Sequence, residues 1–450
     1  MAQLKNFKDY IITPFQLIVT YYFIAIAVSF LLLRIPAVYK HGIEISYIDT
    51  LFTAISAVSV TGLTVINFAD TFTPFGIIVL LVICQVGAIG IMSIGTFIWI
   101  LFGRKIGMRG RQLIMIDHNQ YNLSGVVHLL KEIVKILFVI EAIGAIILSV
   151  HFLRYYDSLG EAIKHGIFTS ISATTNSGFT LTDSSLQPFS SDYFVQFVVM
   201  ILIGLGAIGF PVLVEIKKYL SRKDSSFRFS LFTKITTATY GILFLVGTVG
   251  IFIIESFQSF QGMAWHERLF ASMFHSISAR SGGLATYEIS SFNEATDIFL
   301  SFLMFIGASP SSVGGGIRTT TFAVAILFLI NFANGRHEIQ IFGREIHLTD
   351  VYKSFVVIIL AAFMVLFATM LLLITEPYAS VNQVIFEITS AFGTCGLTLG
   401  ITENLSVAGK IIIMILMFIG RVGLISFLYS LGGKANKTQY HYPKERVIIG

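Results

Sequence analysis

Charge is what this 450-residue chain has least of: 12% of it is Asp, Glu, Lys or Arg, against 55% hydrophobic residues and a mean hydropathy of +0.82. That balance excludes an ordinary soluble domain and predicts an integral membrane protein. Cysteine is scarce as well. The two present, Cys84 and Cys395, fall in apolar stretches, which leaves no disulfide framework and no metal-ligand cluster. There is no G-x-x-x-x-G-K-[ST] run and no phosphorylated-aspartate pump signature, so the chain has no nucleotide site of its own to supply energy. The net charge of +5 sits in loops, where membrane topology accounts for it without a nucleic acid. The opening MAQLKNFKDY lacks a cleavable signal pattern, and the first apolar run is expected to stay as a full span.

What is abundant is long apolar sequence. Runs sufficient for roughly 30 Å of hydrocarbon, about 20 residues each, lie near 12–34, 74–102, 132–153, 193–214, 236–256, 296–330, 354–375 and 407–431. Eight spans place both termini on one side. Basic residues follow the even-numbered spans: Arg104, Lys105, Arg109 and Arg111; Lys217, Lys218, Arg222, Lys223 and Arg228; Arg336 and Arg344; Lys434, Lys437, Lys444 and Arg446. By the positive-inside rule these loops and both termini are cytoplasmic.

On the opposite side one pattern occurs four times: SAVSVTGLT (56–64), SATTNSGFT (172–180), SARSGGLAT (278–286) and SAFGTCGLT (390–398). Each follows a stretch too short to span, at 47–58, 161–174, 266–279 and 381–391. These stretches open with helix-start residues, namely Ser46 and Asp49; Asp157, Ser158 and Glu161; His266 and Glu267; Ser380 and Asn382. A helix entering from outside and ending at its Ser-Ala pair aims its partial negative C-terminus at the membrane centre, where a cation can sit. Irregular backbone at that depth must be buried in protein or line water. Four such segments around one axis satisfy that condition together, and Gly62, Gly178, Gly283 and Gly396 would let consecutive carbonyls turn inward.

The second members of the span pairs also match, with QVGAIGIM (85–92), GLGAIGFP (204–211), GASPSSVGGGIRTTT (307–321) and GRVGLISF (420–427). The G-x-G-x-x-G at Gly204, Gly206 and Gly209 follows no strand, so it reads as close helix packing rather than a dinucleotide fingerprint. The third run is the exception. Over 307–318 it gathers Gly307, Pro310, Gly314, Gly315 and Gly316 with Ser309, Ser311 and Ser312 between them. Interior glycines cost about 1 kcal/mol each and proline about 3, so this span is predicted to break at mid-membrane, and the resulting loop to have few packing contacts. Arg421 stands alone in an apolar run, where an arginine costs about 2.5–3.5 kcal/mol. Carbonyls exposed by the broken loop are its natural partners.

These features together resemble the Ktr/Trk/HKT superfamily of potassium-translocating proteins over nearly the whole chain, and most closely its short bacterial KtrB-like membrane subunits, since the long N-terminal extension of Trk-type members is not seen. The resemblance implies an all-α polytopic fold of four tandem span, pore-helix, span repeats around one pore, with eight transmembrane helices and four re-entrant pore helices. The repeats run 1–111, 112–231, 232–345 and 346–432, with a cytoplasmic tail at 433–450. It implies that K⁺ is held by a filter of Val60, Thr61 and Gly62; Asn176, Ser177 and Gly178; Ser281, Gly282 and Gly283; and Thr394, Cys395 and Gly396. It implies a gating loop of Gly307, Ala308, Ser309, Pro310, Ser311, Ser312, Val313, Gly314, Gly315 and Gly316, held by Arg421. The third filter is one residue shorter than the rest, and glycine rather than serine at position 62 favours K⁺ over Na⁺. Implied too are a homodimer in the bacterial plasma membrane, a cytosolic KtrA-like ring of the RCK type that binds ATP or ADP, and Na⁺ as an activator.

Two rival classes are weighed against this one. An alternating-access secondary cation transporter also uses broken helices, but in two inverted halves rather than four same-direction copies. An intramembrane hydrolase needs a nucleophile beside a base; the histidines at 128, 151, 165, 266, 275, 337, 347 and 441 lie mostly in loops or pore helices, with no serine paired in register.

Overall fold

The computed structural model describes residues 14–90, 93–94, 111, 115, 126–221, 227–336, 338–431, 443 and 445. Among them, four helices are long and apolar enough to cross a membrane: α1 (Pro14–Leu33), α4 (Val126–Phe152), α8 (Leu231–Ser256) and α12 (Leu348–Thr375). Only 28 to 33% of each apolar window is buried in the protein, so most of every such helix faces outward. That outward face is as hydrophobic as the inner one, which is why periodicity alone does not tell them apart.

After each long helix comes a short one: α2 (Tyr47–Ser59), α5 (Leu159–Thr175), α9 (Trp265–Ser278) and α13 (Val381–Gly393). Caps set their starts. Ser46 Oγ accepts from Asp49 N at 3.1 Å, and Glu267 accepts from Ala264 N at 3.0 Å. Ser380 and Gln383 exchange bonds in a capping box, each such cap being worth about 1 kcal/mol. Three of these helices stop at a left-handed residue, Val60, Asn176 or Thr394, at φ 56°, 53° and 47°. The third does not. Ala279 stays helical at φ −59°, and the positive angle moves to Ser281 at 90°, which is how the chain absorbs its missing residue.

The second members of the pairs depart from the sequence expectation, which had only the third broken. All four stop at a glycine of positive φ: Gly90 at 95°, Gly209 at 103°, Gly307 at 62° and Gly423 at 87°. Thus α3 (Pro74–Ile89) ends at Gly90, and α6 (Tyr193–Ala207) turns by 105° into α7 (Phe210–Leu220). Further on, α10 (Glu294–Ile306) is separated from α11 (Thr319–Ala333) by the loop, and α14 (Val407–Val422) from α15 (Leu424–Leu431) by Gly423. Left-handed backbone costs an L-residue roughly 1–2 kcal/mol, so glycine marks each break. Gly209 therefore belongs to a turn, while Gly206 packs as expected: a Cβ there would lie 2.1 Å from Thr174 O. Arg421 sits in the last turn of α14.

Buried carboxylates pin the span pairs. Glu255, at the end of α8, accepts from Asn293 N at 2.9 Å, and Glu376 accepts from Ser406 N at 3.0 Å, so each caps the start of the next second span. Lys410 in the first turn of α14 meets Asp49 in the first turn of α2 at 2.7 Å, joining the two ends of the chain. A small antiparallel hairpin, β1 (Gln340–Ile341) with β2 (Arg344–Glu345), links α11 to α12. Most of the basic loop at 104–111, residues 222–226 of the next, much of the 74–102 run beyond Gly90 and nearly all of the 433–450 tail lie outside the described residues.

Candidate functional site

Four glycines meet in a closed ring. A Cβ on Gly62 would lie 2.3 Å from Ser177 O, on Gly178 2.9 Å from Gly283 Cα, on Gly283 2.4 Å from Cys395 O, and on Gly396 2.2 Å from Thr61 O. Each contact reaches the next segment along the chain, and the fourth returns to the first. Glycine is needed twice over at these positions, for the close approach and for φ values of 93°, 68°, 68° and 96°. Around the ring, Ser281 Oγ donates to Thr394 O at 3.0 Å. Val60 instead turns away from the ring into an apolar cluster with Ala88, Ile89 and Val313. Asn176 is wholly buried, its amide atoms without a partner among the described residues, and Gly282 backs onto Ser278 and Ile203.

The serine of each Ser-Ala pair secures its segment. Ser56 Oγ donates to Leu63 O at 2.7 Å and accepts from Gly62 N at 3.2 Å; Ser172 Oγ donates to Phe179 O at 2.6 Å. Ser390 Oγ accepts from Gly396 N at 3.1 Å. In the short third segment Ser278 Oγ reaches Leu284 O at 2.5 Å, one residue nearer in sequence. Sequence reasoning noticed these serines only as a repeat; their spacing to the glycine was the signal. Arg280 was missed too. Fully buried behind the third segment, it donates to Tyr240 O at 2.9 Å and stacks 4.0 Å over the Tyr240 ring.

One side of the ring opens into a vestibule of about 270 Å³ lined by the four glycines and by Asp183, Glu288 and Glu403. Against the ring's other side lies the 307–318 loop. A Cβ on Gly314 would sit 2.4 Å from Ser281 Oγ, and one on Gly315 2.7 Å from the Thr394 side chain. The expectation of few packing contacts is corrected here: Ala308, Ser309 and Val313 are wholly buried. The loop's backbone borrows partners from the α6–α7 break, with Ser309 N donating to Ala207 O at 3.1 Å and Phe210 N to Ser311 O at 2.8 Å. Gly307 and Gly316 close its neck, while Pro310 O abuts Gly209 and Ser312 Oγ donates to Ser309 O at 2.6 Å.

Two arginines grip this loop. Arg421 donates to Val313 O and, on the far side, to Gly87 O and Ala88 O, the last at 3.2 Å. Arg318 donates to Gly314 O and, more weakly at 3.5 Å, to Ser309 O. Arg318 was passed over because it follows the breaker run, though it stands in the same motif.

A family model described as TrkH, cation transport protein, matches residues 4–431. The chain is 54% identical to Ktr system potassium uptake protein D of Bacillus subtilis (strain 168), over 98% of this chain and 98% of that protein. It is 35% identical to Ktr system potassium uptake protein B of the same organism, over 97% of each. Among solved structures, the crystal structure of the potassium transporter TrkH from Vibrio parahaemolyticus matches with a TM-score of 0.71, covering 94% of this chain and 86% of that one; at 16% identity the likeness shows the fold. By sequence and by fold, this chain belongs to the TrkH family of cation transport proteins.

Proposed function

We propose that the chain carries K⁺ into the cell through one pore formed by four span, pore-helix, span units, each with its second span interrupted at a glycine. The closed glycine ring is the observation that carries this reading. Backbone that is turned inward offers carbonyl oxygens to a dehydrated cation, and the C-termini of α2, α5, α9 and α13 lead directly into the ring segments. Carboxylates at the vestibule, Asp183, Glu288 and Glu403, attract cations on the entry side. The ring triplets ending at Gly62, Gly178, Gly283 and Gly396 act as filter, and the 307–316 loop with Arg421 acts as gate. The relatives named for the Ktr system support K⁺ as the transported ion and a partnership with further subunits.

In this reading the protein is a multi-pass component of the plasma membrane with cytoplasmic termini, working as a homodimer on a cytosolic RCK-type ring. ATP and ADP act on that ring, and Na⁺ acts as activator. The test is K⁺ uptake in a host lacking its own uptake systems, with and without Na⁺ and with each candidate ring. Growth at low external K⁺ is expected with the cognate ring; absence of K⁺ accumulation in every combination rejects the reading.

A further inference from the structure

Beneath the 307–318 loop, away from the glycine ring, lies a cavity of about 120 Å³. Arg318 and Arg421 both line it, and none of its described lining residues is a carboxylate. Three helices begin at its wall: α7 at Phe210, α11 directly after Arg318, and α15 at Leu424. They run 11, 15 and 8 residues, and each presents the positive end of its dipole. Arg421 also acts electrostatically on Arg318, and its Nε is buried with no acceptor among the described residues. Carbonyl oxygens satisfy hydrogen bonds from a guanidinium without neutralising its charge. The cavity is therefore positive from two independent sources, side chains and backbone.

We propose that this cavity binds a small inorganic anion of chloride size between Arg318 and Arg421, and that the bound anion stabilises the loop in its closed position. A water's share of liquid volume is about 30 Å³, so a space of about 120 Å³ has room for a monovalent ion with a few waters. An anion there relieves the repulsion between the two guanidiniums that hold Gly314 O and Val313 O. Removing it leaves like charges facing each other in a low-dielectric site, which loosens their grip on the loop. The link to closure rests on the gating role proposed above; the anion site itself does not.

Bromide serves as the probe. Crystals of the full chain grown in bromide are expected to show an anomalous bromine peak between Arg318 and Arg421, lost in Arg318→Gln. A cavity without bromine, or a peak that survives Arg318→Gln, overturns the site whatever the loop does. In proteoliposomes, exchanging chloride for gluconate is expected to raise K⁺ flux through the chain without its partner several-fold. Arg318→Lys keeps that anion dependence and Arg318→Gln abolishes it, a pattern that a purely structural arginine would not produce. Bound bromide with a flux indifferent to gluconate overturns the link to closure. The wild-type measurements stand even if a variant fails to fold.

Discussion

A single methylene and hydroxyl at Gly62 is the smallest change that tests the ring. Any Cβ there meets Ser177 O at 2.3 Å, so the neighbouring carbonyl has to move, and the φ of 93° adds strain of its own. Gly42 separates the two effects, since it has a similar φ of 85° with nothing within 4 Å. Gly62→Ser is expected to lower the K⁺ to Na⁺ permeability ratio in proteoliposomes about ten-fold, equivalent to ~1.4 kcal/mol of lost discrimination. Gly42→Ala is expected to leave the ratio alone. An unaltered ratio in Gly62→Ser removes position 62 from the filter.

The broken third span is the element to which the proposed gating is assigned. Its loop is buried and hydrogen-bonded to the α6–α7 break, so lifting it costs more than moving an exposed loop, and the chain without its partner is expected to conduct slowly. Deleting Ser311 to Gly315 removes the carbonyls that Arg421 and Arg318 hold, at Val313 and Gly314. K⁺ flux should then rise and become largely independent of the ring. Arg421→Ala should shift flux the same way, because hydrogen bonds to a charged group contribute about 1.5–3 kcal/mol each. If the deletion variant folds, reaches the membrane and conducts no faster than its parent, the gate lies elsewhere.

At the scale of the whole molecule, the pairing of Lys410 with Asp49 ties α14 back to α2 in one body across 361 residues of sequence. In the proposed function, assembly beyond that body falls to the cytoplasmic surface. The tail YHYPKERVIIG combines basic residues with an apolar end suited to a neighbouring subunit. Deleting 440–450 is expected to lower the mass of the dimer or ring assembly measured by size exclusion with light scattering. An assembly of full mass would leave the tail as a topology determinant only.

What the sequence determined by itself is local. Helix limits followed from caps such as Ser46 and Ser380, left-handed turns from Gly62 and Gly396, and the helix break from the run between Gly307 and Gly316. These depend on backbone preferences that a few neighbouring residues specify. Tertiary structure decided which groups meet. The same glycine appears at Gly90, Gly209 and Gly423, but the sequence around these positions does not mark the helix ends that the fold places there. Arg421 finds Val313 from 108 residues away, and Ser309 N finds Ala207 O at the α6–α7 break. Such encounters depend on how uniformly apolar helices pack, and a face as hydrophobic toward lipid as toward protein carries no mark of its neighbour.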